Sequence, residues 1–150
     1  MELRQIGVIG SPYKTKEDAP HQGRFSKDVC EIVIFDEFSE GLKDIESFTH
    51  LIVLYWLHEA RRDTLLAKPP HDDRIRGVFA TRSPNRPNPI GFAVVKLLER
   101  KGNVLRVTGL DAIDGTPLID IKPYSSAIDC VEDAKDAPSE KNVKNTYRVP

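Results

Sequence analysis

Three polar side chains occupy alternate positions near the end of the sequence, at Asp120, Lys122 and Tyr124. Because alternate residues of an extended strand point to the same side, a carboxylate, an ammonium and a phenol would lie together there. The carboxylate or the phenolate could accept a proton as a general base, with the ammonium holding either anion in place. Asp111 and His58 are further candidates for such a base. A structural ion pair between Asp120 and Lys122 is the alternative, and the residues alone leave both open.

A second segment with chemical potential is the proline-rich loop, residues 77–91, which contains Pro84, Pro87 and Pro89. Each proline fixes its own φ and biases the preceding residue towards an extended conformation, so this loop is stiff and not helical. It holds five polar or cationic side chains in set directions: Arg82, Ser83, Asn85, Arg86 and Asn88. A rigid cationic loop suits an anionic or hydrogen-bonding ligand, and a plain surface connection is the alternative.

The formal net charge of the chain is only −1, but its charges are unevenly distributed. Residues 61–86 hold seven arginines and lysines against three aspartates, whereas residues 111–140 hold eight acidic residues against two lysines. Phosphate binding depends on a local concentration of positive charge rather than on the total. The basic segment, residues 61–86, is therefore a candidate surface for nucleic acid, and a solvated loop is the alternative.

The overall composition is typical of one soluble domain. The 150 residues are 39% hydrophobic and 30% charged, and no apolar run approaches the ~20 residues that a membrane-spanning helix requires. The first residues contain no hydrophobic stretch typical of a secretory signal. Cys30 and Cys130 form neither a Cys-x-x-Cys pair nor a zinc-binding spacing. We therefore expect reduced thiols, a cytoplasmic location, no membrane association and no metal.

The segments that would position the polar residues are mostly short strands. Apolar and β-branched runs predict strands over residues 4–10, 29–35, 51–57, 77–80, 90–98, 104–110 and 118–124. The run 51–57 shows no alternation, which predicts either a strand buried on both faces or a central strand of a barrel. The i, i+4, i+7 spacing of Phe38, Leu42 and Ile45 predicts one short helix over 37–46. In 118–124 we expect Ile119 and Ile121 on one face and the three polar residues on the other.

The order of these elements predicts the fold class. Six or seven short strands, with little helix and no regular alternation of strand and helix, favour a mainly β (α+β) domain, either a β-barrel or a sheet-rich α+β fold. No Gly-x-Gly-x-x-Gly follows a strand, so a Rossmann fold is not expected and a cofactor would need another cradle. We expect one domain over 1–150, with an acidic tail of about 25 residues and no further carboxy-terminal domain.

Three motifs resemble those of one known family. They are IGVIGSPY at 6–13, GVFATRSPNRPNPIGFAVVKL at 77–97 and DAIDGTPLIDIKPY at 111–124. In this order and composition the chain resembles the TrmO (YaeB/TsaA-like) family. Its members are S-adenosylmethionine-dependent methyltransferases that act on N6-threonylcarbamoyladenosine at position 37 of tRNA. The resemblance implies a single-sheet barrel of short, mostly antiparallel strands, S-adenosyl-L-methionine as the cofactor, tRNA as a partner, and a homodimer.

The resemblance also implies which residues bind the cofactor. They come from four separate pieces of the chain: Gln22, Gly23, Arg24 and Phe25; His58 and Glu59; Arg82 and Phe92; and Thr108, Gly109, Leu110 and Asp111. The first piece departs from the Pro-Arg-Gln motif of the family, because His21 stands at the arginine position and Arg24 is the nearby cation. Asp120, Lys122 and Tyr124 are the expected catalytic residues.

For the tRNA, we expect contacts from Arg86 in the proline-rich loop and from Arg74 and Arg76 in the basic segment. Arginine suits this role because its planar guanidinium offers several donors to a phosphate or a base. Many bacterial relatives continue into a carboxy-terminal domain that helps to bind tRNA, and we expect none here. A second subunit would then complete the tRNA-binding surface.

Other functions remain open at this stage. The same fold could methylate another acceptor, or it could be a non-enzymatic barrel that binds RNA or nucleotides. Metal-dependent hydrolysis by His21, His50 and His58 is disfavoured, because their spacing matches no known ligand pattern. His50 is more simply interpreted as a structural residue at the start of a strand.

Overall fold

The computed structural model describes residues 1–136, so residues 137–150 of the predicted acidic tail lie outside the described residues. The chain forms two compact units. The barrel unit comprises Met1–His58 and Ile90–Asp129. The loop unit comprises Glu59–Pro89 together with the described residues 130–136. No helix among residues 1–136 has the length and apolar character needed to cross a membrane.

The barrel unit is a closed six-stranded sheet in the order β1-β2-β7-β6-β3-β8, with every pair antiparallel. Its strands are β1 (Gly7–Gly10), β2 (Val29–Ile34), β3 (His50–Trp56), β6 (Ile90–Lys101), β7 (Val104–Thr108) and β8 (Thr116–Pro123). Among residues 1–136, helix is limited to short 3-10 turns and one turn of α-helix, α1 (Ser126–Asp129). The predicted single-sheet barrel with little helix is therefore confirmed.

The core fills the interior of this barrel with alternate residues of each strand. Its fully buried members include Ile9, Ile32, Leu51, Val53, Val95, Leu105, Val107 and Leu118. In β3 the residues alternate between buried and partly exposed, so the strand is not buried on both faces, and the alternative prediction of a central barrel strand is confirmed. The reason is closure: the inner face of a barrel strand meets the core, whereas its outer face meets solvent.

Several predicted boundaries also differ from the structure. The predicted helix over 37–46 is instead two 3-10 turns, Asp36–Leu42 and Ile45–Ser47, separated by Asp44 with a left-handed φ of 68°. The predicted strand over 77–80 is mostly a 3-10 turn, Val78–Ala80. β6 continues three residues beyond its predicted end to Lys101, and β1 starts at Gly7 rather than at residue 4.

A β-bulge interrupts the alternation expected in β8. Leu54 lies opposite Asp120 and Tyr55 lies opposite Leu118, which leaves Ile119 as an extra residue on β8. Because a bulge shifts the phase of the side chains, Leu118 and Ile121 both pack against the core although three positions separate them. The predicted strict alternation is therefore wrong at Ile119, while the polar residues that follow keep their spacing.

The loop unit contains little regular structure. Its strands β4 (Leu66–Ala67) and β5 (Arg76–Gly77) pair over two residues each. Val78 is 1% exposed, and its N–H donates to the carbonyl of Leu65 at 2.9 Å, which anchors the 3-10 turn Val78–Ala80. Further order in this unit comes from backbone bonds outside the strands, such as that from the Arg86 N–H to the carbonyl of Arg61 at 3.0 Å, and from polar side chains.

Candidate functional site

Two of the four predicted cofactor-binding pieces meet in the barrel unit. The 3-10 turn Gly23–Phe25 lies against the segment 108–111, which begins at the last residue of β7. A Cβ on Gly23 would lie 2.3 Å from the carbonyl oxygen of Gly109 and 2.8 Å from the backbone nitrogen of Asp111. Only a glycine allows two backbones to approach this closely, so Gly23 is required for the contact.

The segment 108–111 owes its path to a second glycine. Gly109 has a φ of +104°, which L side chains rarely adopt, and its Cα faces the carbonyl oxygen of Val94 on β6. Leu110 is fully buried and Ala112 is 2% exposed, so both neighbours of Asp111 are anchored in the core. The backbone therefore presents the partly exposed Asp111 in one defined position.

The turn after Asp111 is held by residues at the end of β1. The Ser11 hydroxyl donates to the carbonyl of Ala112 at 2.7 Å, and the Ser11 N–H donates to the carboxylate of Asp114 at 3.0 Å. Lys14 forms an ion pair with the same carboxylate at 2.7 Å. These bonds hold the pKa of Asp114 below its usual value, Lys14 being the larger cause.

Asp111 also has a buried partner that the sequence did not reveal. The phenol of Tyr55 donates a hydrogen bond to Oδ1 of Asp111. Tyr55 is 2% exposed, and its ring packs against Gly91, where a Cβ would lie 2.1 Å from the ring carbon Cε2. Sequence reasoning missed Tyr55 because it stands within a continuous apolar run, where its ring was expected to serve the core. Its hydroxyl was the one polar signal there.

Of the predicted catalytic residues, Asp120 and Lys122 lie on β8 and Tyr124 directly follows it. Nζ of Lys122 pairs with Oδ2 of Asp120 at 3.2 Å, with 61% and 43% of the two side chains exposed. Oδ1 of Asp120 accepts the N–H of Ile121 at 2.9 Å, and the N–H of Tyr124 donates to the carbonyl of His50 at 3.1 Å. The predicted ion pair is therefore present, which is compatible with both the structural and the catalytic interpretation.

The register brings Phe92 into the same row of the sheet as Asp120. Leu54 on β3 lies opposite Phe92 on one side and opposite Asp120 on the other. Since paired residues point to the same side of a sheet, these three side chains share the outer face of the barrel. Phe92 is 48% exposed there. His58 follows β3 at the end of the barrel unit.

The loop unit holds the other predicted residues. Arg82 and Glu59 belong to it, as do all three predicted RNA contacts. The guanidinium of Arg86 donates to the carbonyls of Val78, Thr81 and Ser83 at 2.9–3.1 Å. Arg86 therefore organises the proline-rich loop from within, a role that leaves its predicted contact with RNA untested.

Arg74 and Arg76 share one buried carboxylate. Asp72 is 3% exposed and accepts the backbone N–H of Arg74 at 3.0 Å and Nε of Arg76 at 2.6 Å. Chiefly through the backbone N–H of Arg74, these bonds lower the pKa of Asp72 to about 2 despite its burial. Part of the positive charge of the basic segment is thus neutralised inside the loop unit.

An exposed aromatic ring in the loop unit also escaped the sequence analysis. Phe79 is 79% exposed, although the residue before it, Val78, is buried. The turn that carries Phe79 is held by Val78, by Arg86 and by the Thr81 hydroxyl, which donates to the carbonyl of Val78 at 2.9 Å.

Within residues 1–136, no three His, Cys, Asp or Glu side chains are placed to hold a metal ion together.

Comparison with protein families identifies the chain. The sequence model of the tRNA-methyltransferase O N-terminal domain matches residues 8–130. The chain belongs to this family. The predicted resemblance, which rested on three motifs within residues 6–124, is thereby confirmed.

Relatives of the tRNA-methyltransferase O family differ in length. The chain is 71% identical to a probable S-adenosyl-L-methionine-binding protein of Archaeoglobus fulgidus, over 90% of this chain but 37% of the relative. A second protein of that organism, an S-adenosyl-L-methionine-binding protein, is 59% identical over 87% of this chain and 94% of its own length. The tRNA (adenine(37)-N6)-methyltransferase of Escherichia coli is 36% identical over 89% of this chain and 61% of that enzyme.

A solved structure supports the same assignment. The crystal structure of TrmO from Pseudomonas aeruginosa superposes with a TM-score of 0.76 at 31% sequence identity. The match covers 93% of this chain and 63% of the Pseudomonas chain. The described barrel is therefore the fold of this family, and it spans less than two thirds of the enzymes that carry the methyltransferase name.

Proposed function

We propose that this chain is an S-adenosyl-L-methionine-dependent methyltransferase that methylates N6 of threonylcarbamoyladenosine at position 37 of tRNA. Membership of the tRNA-methyltransferase O family supports the reaction class. The structural observation that best supports it is the contact of the turn Gly23–Phe25 with the segment 108–111. It joins two pieces that were predicted separately to bind the cofactor.

The residues at this contact fit S-adenosyl-L-methionine. A carboxylate can accept hydrogen bonds from the two hydroxyls of a ribose or from an ammonium group, and Asp111 is fixed in position to do so. Gly23 and Gly109 let neighbouring backbone segments approach closely, which brings the two predicted pieces together beside Asp111. When bound, the cofactor supplies a methyl group on a positively charged sulfur. The proposed contacts in the barrel unit are Gln22, Gly23, Arg24, Phe25, His58, Phe92, Thr108, Gly109, Leu110 and Asp111. Glu59 and Arg82, in the loop unit, stay predictions from the resemblance.

The proposed role of β8 is to remove a proton. The acceptor nitrogen carries a carbamoyl group, which withdraws its lone pair, so it becomes nucleophilic only as its proton leaves. We assign that proton to the Asp120 carboxylate or to the Tyr124 phenolate, with Lys122 holding the anion. Loss of a general base lowers kcat by about 10²–10⁴-fold, so Asp120→Asn and Tyr124→Phe will distinguish the two.

The loop unit is the proposed contact for tRNA. Unpaired bases of RNA loops stack on exposed aromatic rings, and cations bind the neighbouring phosphates. Phe79 is such a ring, while Arg74, with half of its side chain exposed, is a cation close to it in sequence. Arg76 and Arg86 are also proposed contacts. They would use the guanidinium N–H groups that Asp72 and the loop carbonyls do not occupy. A tRNA substrate would place the protein in the cytoplasm.

A homodimer is part of the proposal. Ile90 and Phe92 on β6 are 40% and 48% exposed, and they lie beside Trp56 and Leu54 on the outer face of the barrel. An apolar surface of this kind is the one we propose for a second copy of the chain. Ile90→Asp should then convert a dimer into a monomer in sedimentation, and a wild-type monomer would contradict this part of the proposal.

The reaction is tested by incubating the protein with S-adenosyl-L-methionine and tRNA that carries threonylcarbamoyladenosine, followed by digestion and mass spectrometry of the nucleosides. One added methyl group on that nucleoside, absent without cofactor, is the expected result. Cofactor binding without methylation would be consistent with a methyltransferase but would reject threonylcarbamoyladenosine as its acceptor. Binding of tRNA without any binding of the cofactor would favour a non-enzymatic RNA-binding barrel.

A further inference from the structure

We infer that Tyr55 is a positioning residue that fixes the carboxylate of Asp111 for the cofactor. This inference rests on the proposed function, because it assumes that Asp111 contacts S-adenosyl-L-methionine. It adds a residue that neither the sequence motifs nor the names of the relatives single out. Its basis is the way in which three neighbouring strands confine one phenol.

The ring of Tyr55 is confined by the sheet itself. On β3, Tyr55 lies opposite Gly91 of β6 and opposite Leu118 of β8. A Cβ on Gly91 would lie 2.1 Å from Cε2, 2.5 Å from Cδ2 and 2.6 Å from Cζ of the ring. The ring therefore occupies the volume that a side chain at position 91 would fill. Leu118 is fully buried on the other side, so the ring is enclosed and its hydroxyl is held in one position.

The backbone of Asp111 is confined just as strongly. Leu110 is fully buried, Ala112 is 2% exposed, and Gly23 packs against the nitrogen of Asp111. A fixed Cα leaves only the two side-chain torsions of the aspartate to be set. The hydrogen bond from Tyr55 to Oδ1 restricts both torsions. Because a carboxylate has about four lone-pair sites, accepting one phenol leaves capacity for a ligand.

A hydroxyl at this position needs a reason. Phenylalanine would fill nearly the same volume, and burying a hydroxyl is unfavourable unless it is hydrogen-bonded. Nothing in core packing requires a phenol, whereas an ionised carboxylate is held best by a strong donor.

Another titratable group close to Asp111 is the thiol of Cys30 on β2. Burial, followed by the carboxylates of Asp28 and Asp111, raises the pKa of this thiol to about 11, so it stays neutral and does not repel Asp111.

The test is a double-mutant cycle of Tyr55→Phe and Asp111→Asn, read by calorimetry with S-adenosyl-L-methionine. Because hydrogen bonds to charged groups contribute about 1.5–3 kcal/mol, Tyr55→Phe should weaken cofactor binding roughly 10- to 100-fold. In the Asp111→Asn background, Tyr55→Phe should produce little further loss, because the interaction is already broken. In steady-state kinetics the KM for the cofactor should rise while the KM for tRNA stays unchanged.

The chain offers a matched control. Tyr13 is 5% exposed, and its phenol shares a hydrogen bond with the Ser26 hydroxyl and donates to Oδ2 of the exposed Asp28 at 2.9 Å, so Tyr13→Phe also removes a phenol–carboxylate bond from the barrel unit. We expect it to lower stability without changing the affinity for the cofactor. If both tyrosine variants weaken cofactor binding equally, the effect of Tyr55→Phe is explained by lost protein stability alone. Equal losses from Tyr55→Phe with and without the Asp111 carboxylate would also overturn the inference.

Two further outcomes remain decisive. If Tyr55→Phe does not fold, Asp111→Glu keeps the charge but moves the carboxylate away from the phenol. It should lose at least tenfold in affinity, and an unchanged affinity would reject the positioning role. Failure of the wild-type protein to bind S-adenosyl-L-methionine would remove the proposed function and this inference together. Normal wild-type binding with normal Tyr55→Phe binding would remove the inference alone.

Discussion

The barrel unit and the loop unit hold their functional side chains in different ways. In the barrel unit, strand pairing fixes the backbone, and glycines allow backbones and rings to approach closely at Gly23, Gly91 and Gly109. In the loop unit, two strands of two residues each supply little pairing, and side chains such as Arg86 bind the backbone instead. Arg86 and Asp72 in the loop unit therefore have a structural role in the first place.

This difference changes the interpretation of the basic segment. Its excess of positive charge predicts nucleic-acid binding when the charges are counted along the sequence. In the structure, Asp72 binds Arg74 and Arg76, while Arg86 binds three carbonyls. Substitutions in this unit must therefore separate loss of RNA contact from loss of local structure. In the barrel unit, a substitution at a glycine contact should damage the fold and the cofactor site together.

The largest effect is expected for Gly23→Ala. The added Cβ would lie 2.3 Å from the carbonyl oxygen of Gly109, and this backbone atom cannot rotate away. Overpacking of this kind costs about 1–3 kcal/mol, so the unfolding midpoint should fall and cofactor affinity should fall with it. Gly41→Ala is the control, because a Cβ there would meet nothing within 4 Å. Equal midpoints and affinities for the two variants would show that the Gly23 contact does not build the site.

Arg86→Ala should loosen the loop unit and spare the barrel unit. It removes three hydrogen bonds from one guanidinium to loop carbonyls. At about 0.5–1.5 kcal/mol each, their loss should raise hydrogen exchange of residues 59–89 at least roughly tenfold while the barrel amides keep their protection. Arg82→Ala is the comparison, and it should abolish cofactor binding with the fold intact. Unchanged exchange in Arg86→Ala, together with a flatter salt dependence of tRNA binding, would instead make Arg86 an RNA contact.

Acid should loosen the loop unit through Asp72. Its pKa is lowered to about 2 in the folded protein from an ordinary value of 3.8, so its bonds stabilise the unit fully above that ordinary value. This stabilisation is lost as the pH falls from about 4 towards 2, because the carboxylate is protonated more readily when the unit is unfolded. Amide exchange or NMR of residues 59–89 should follow this transition. Asp72→Asn should lack it, and a transition that persists in the variant would assign it to other groups.

The smallest effect on stability is expected for Lys122→Ala. The pair with Asp120 is 61% and 43% exposed, and exposed ion pairs contribute about 0–1 kcal/mol. Denaturant unfolding should therefore change little, whereas the methylation rate should fall if Lys122 holds the base. Lys101→Ala, which removes another exposed lysine paired at 3.9 Å with Glu99, is the control for both measurements. A rate equal to that of Lys101→Ala would restrict Lys122 to the ion pair.

The sequence predicted the fold class well, because β-branched runs, turn residues and the absence of strand–helix alternation are local signals. The family followed from its motifs. The buried partner of Asp111 could not be predicted, because Tyr55 lies 56 positions away and its run of neighbours is apolar. The structural role of Arg86 could not be predicted either, because it binds backbone carbonyls, and these are the same whatever the residue type. The alternation of β3 was missed because both faces of that strand carry apolar residues, and only closure of the barrel separates inside from outside.

The central claim is that the turn Gly23–Phe25 and the segment 108–111 form the cofactor cradle. A crystal structure with S-adenosylhomocysteine, the product of methyl transfer from this cofactor, tests it most directly. We predict density against residues 23–25 and 108–111, with the Asp111 carboxylate on a hydroxyl or an ammonium of the ligand and the Tyr55 phenol still on Asp111. Ligand density elsewhere in the protein, with Asp111 untouched, would contradict the account.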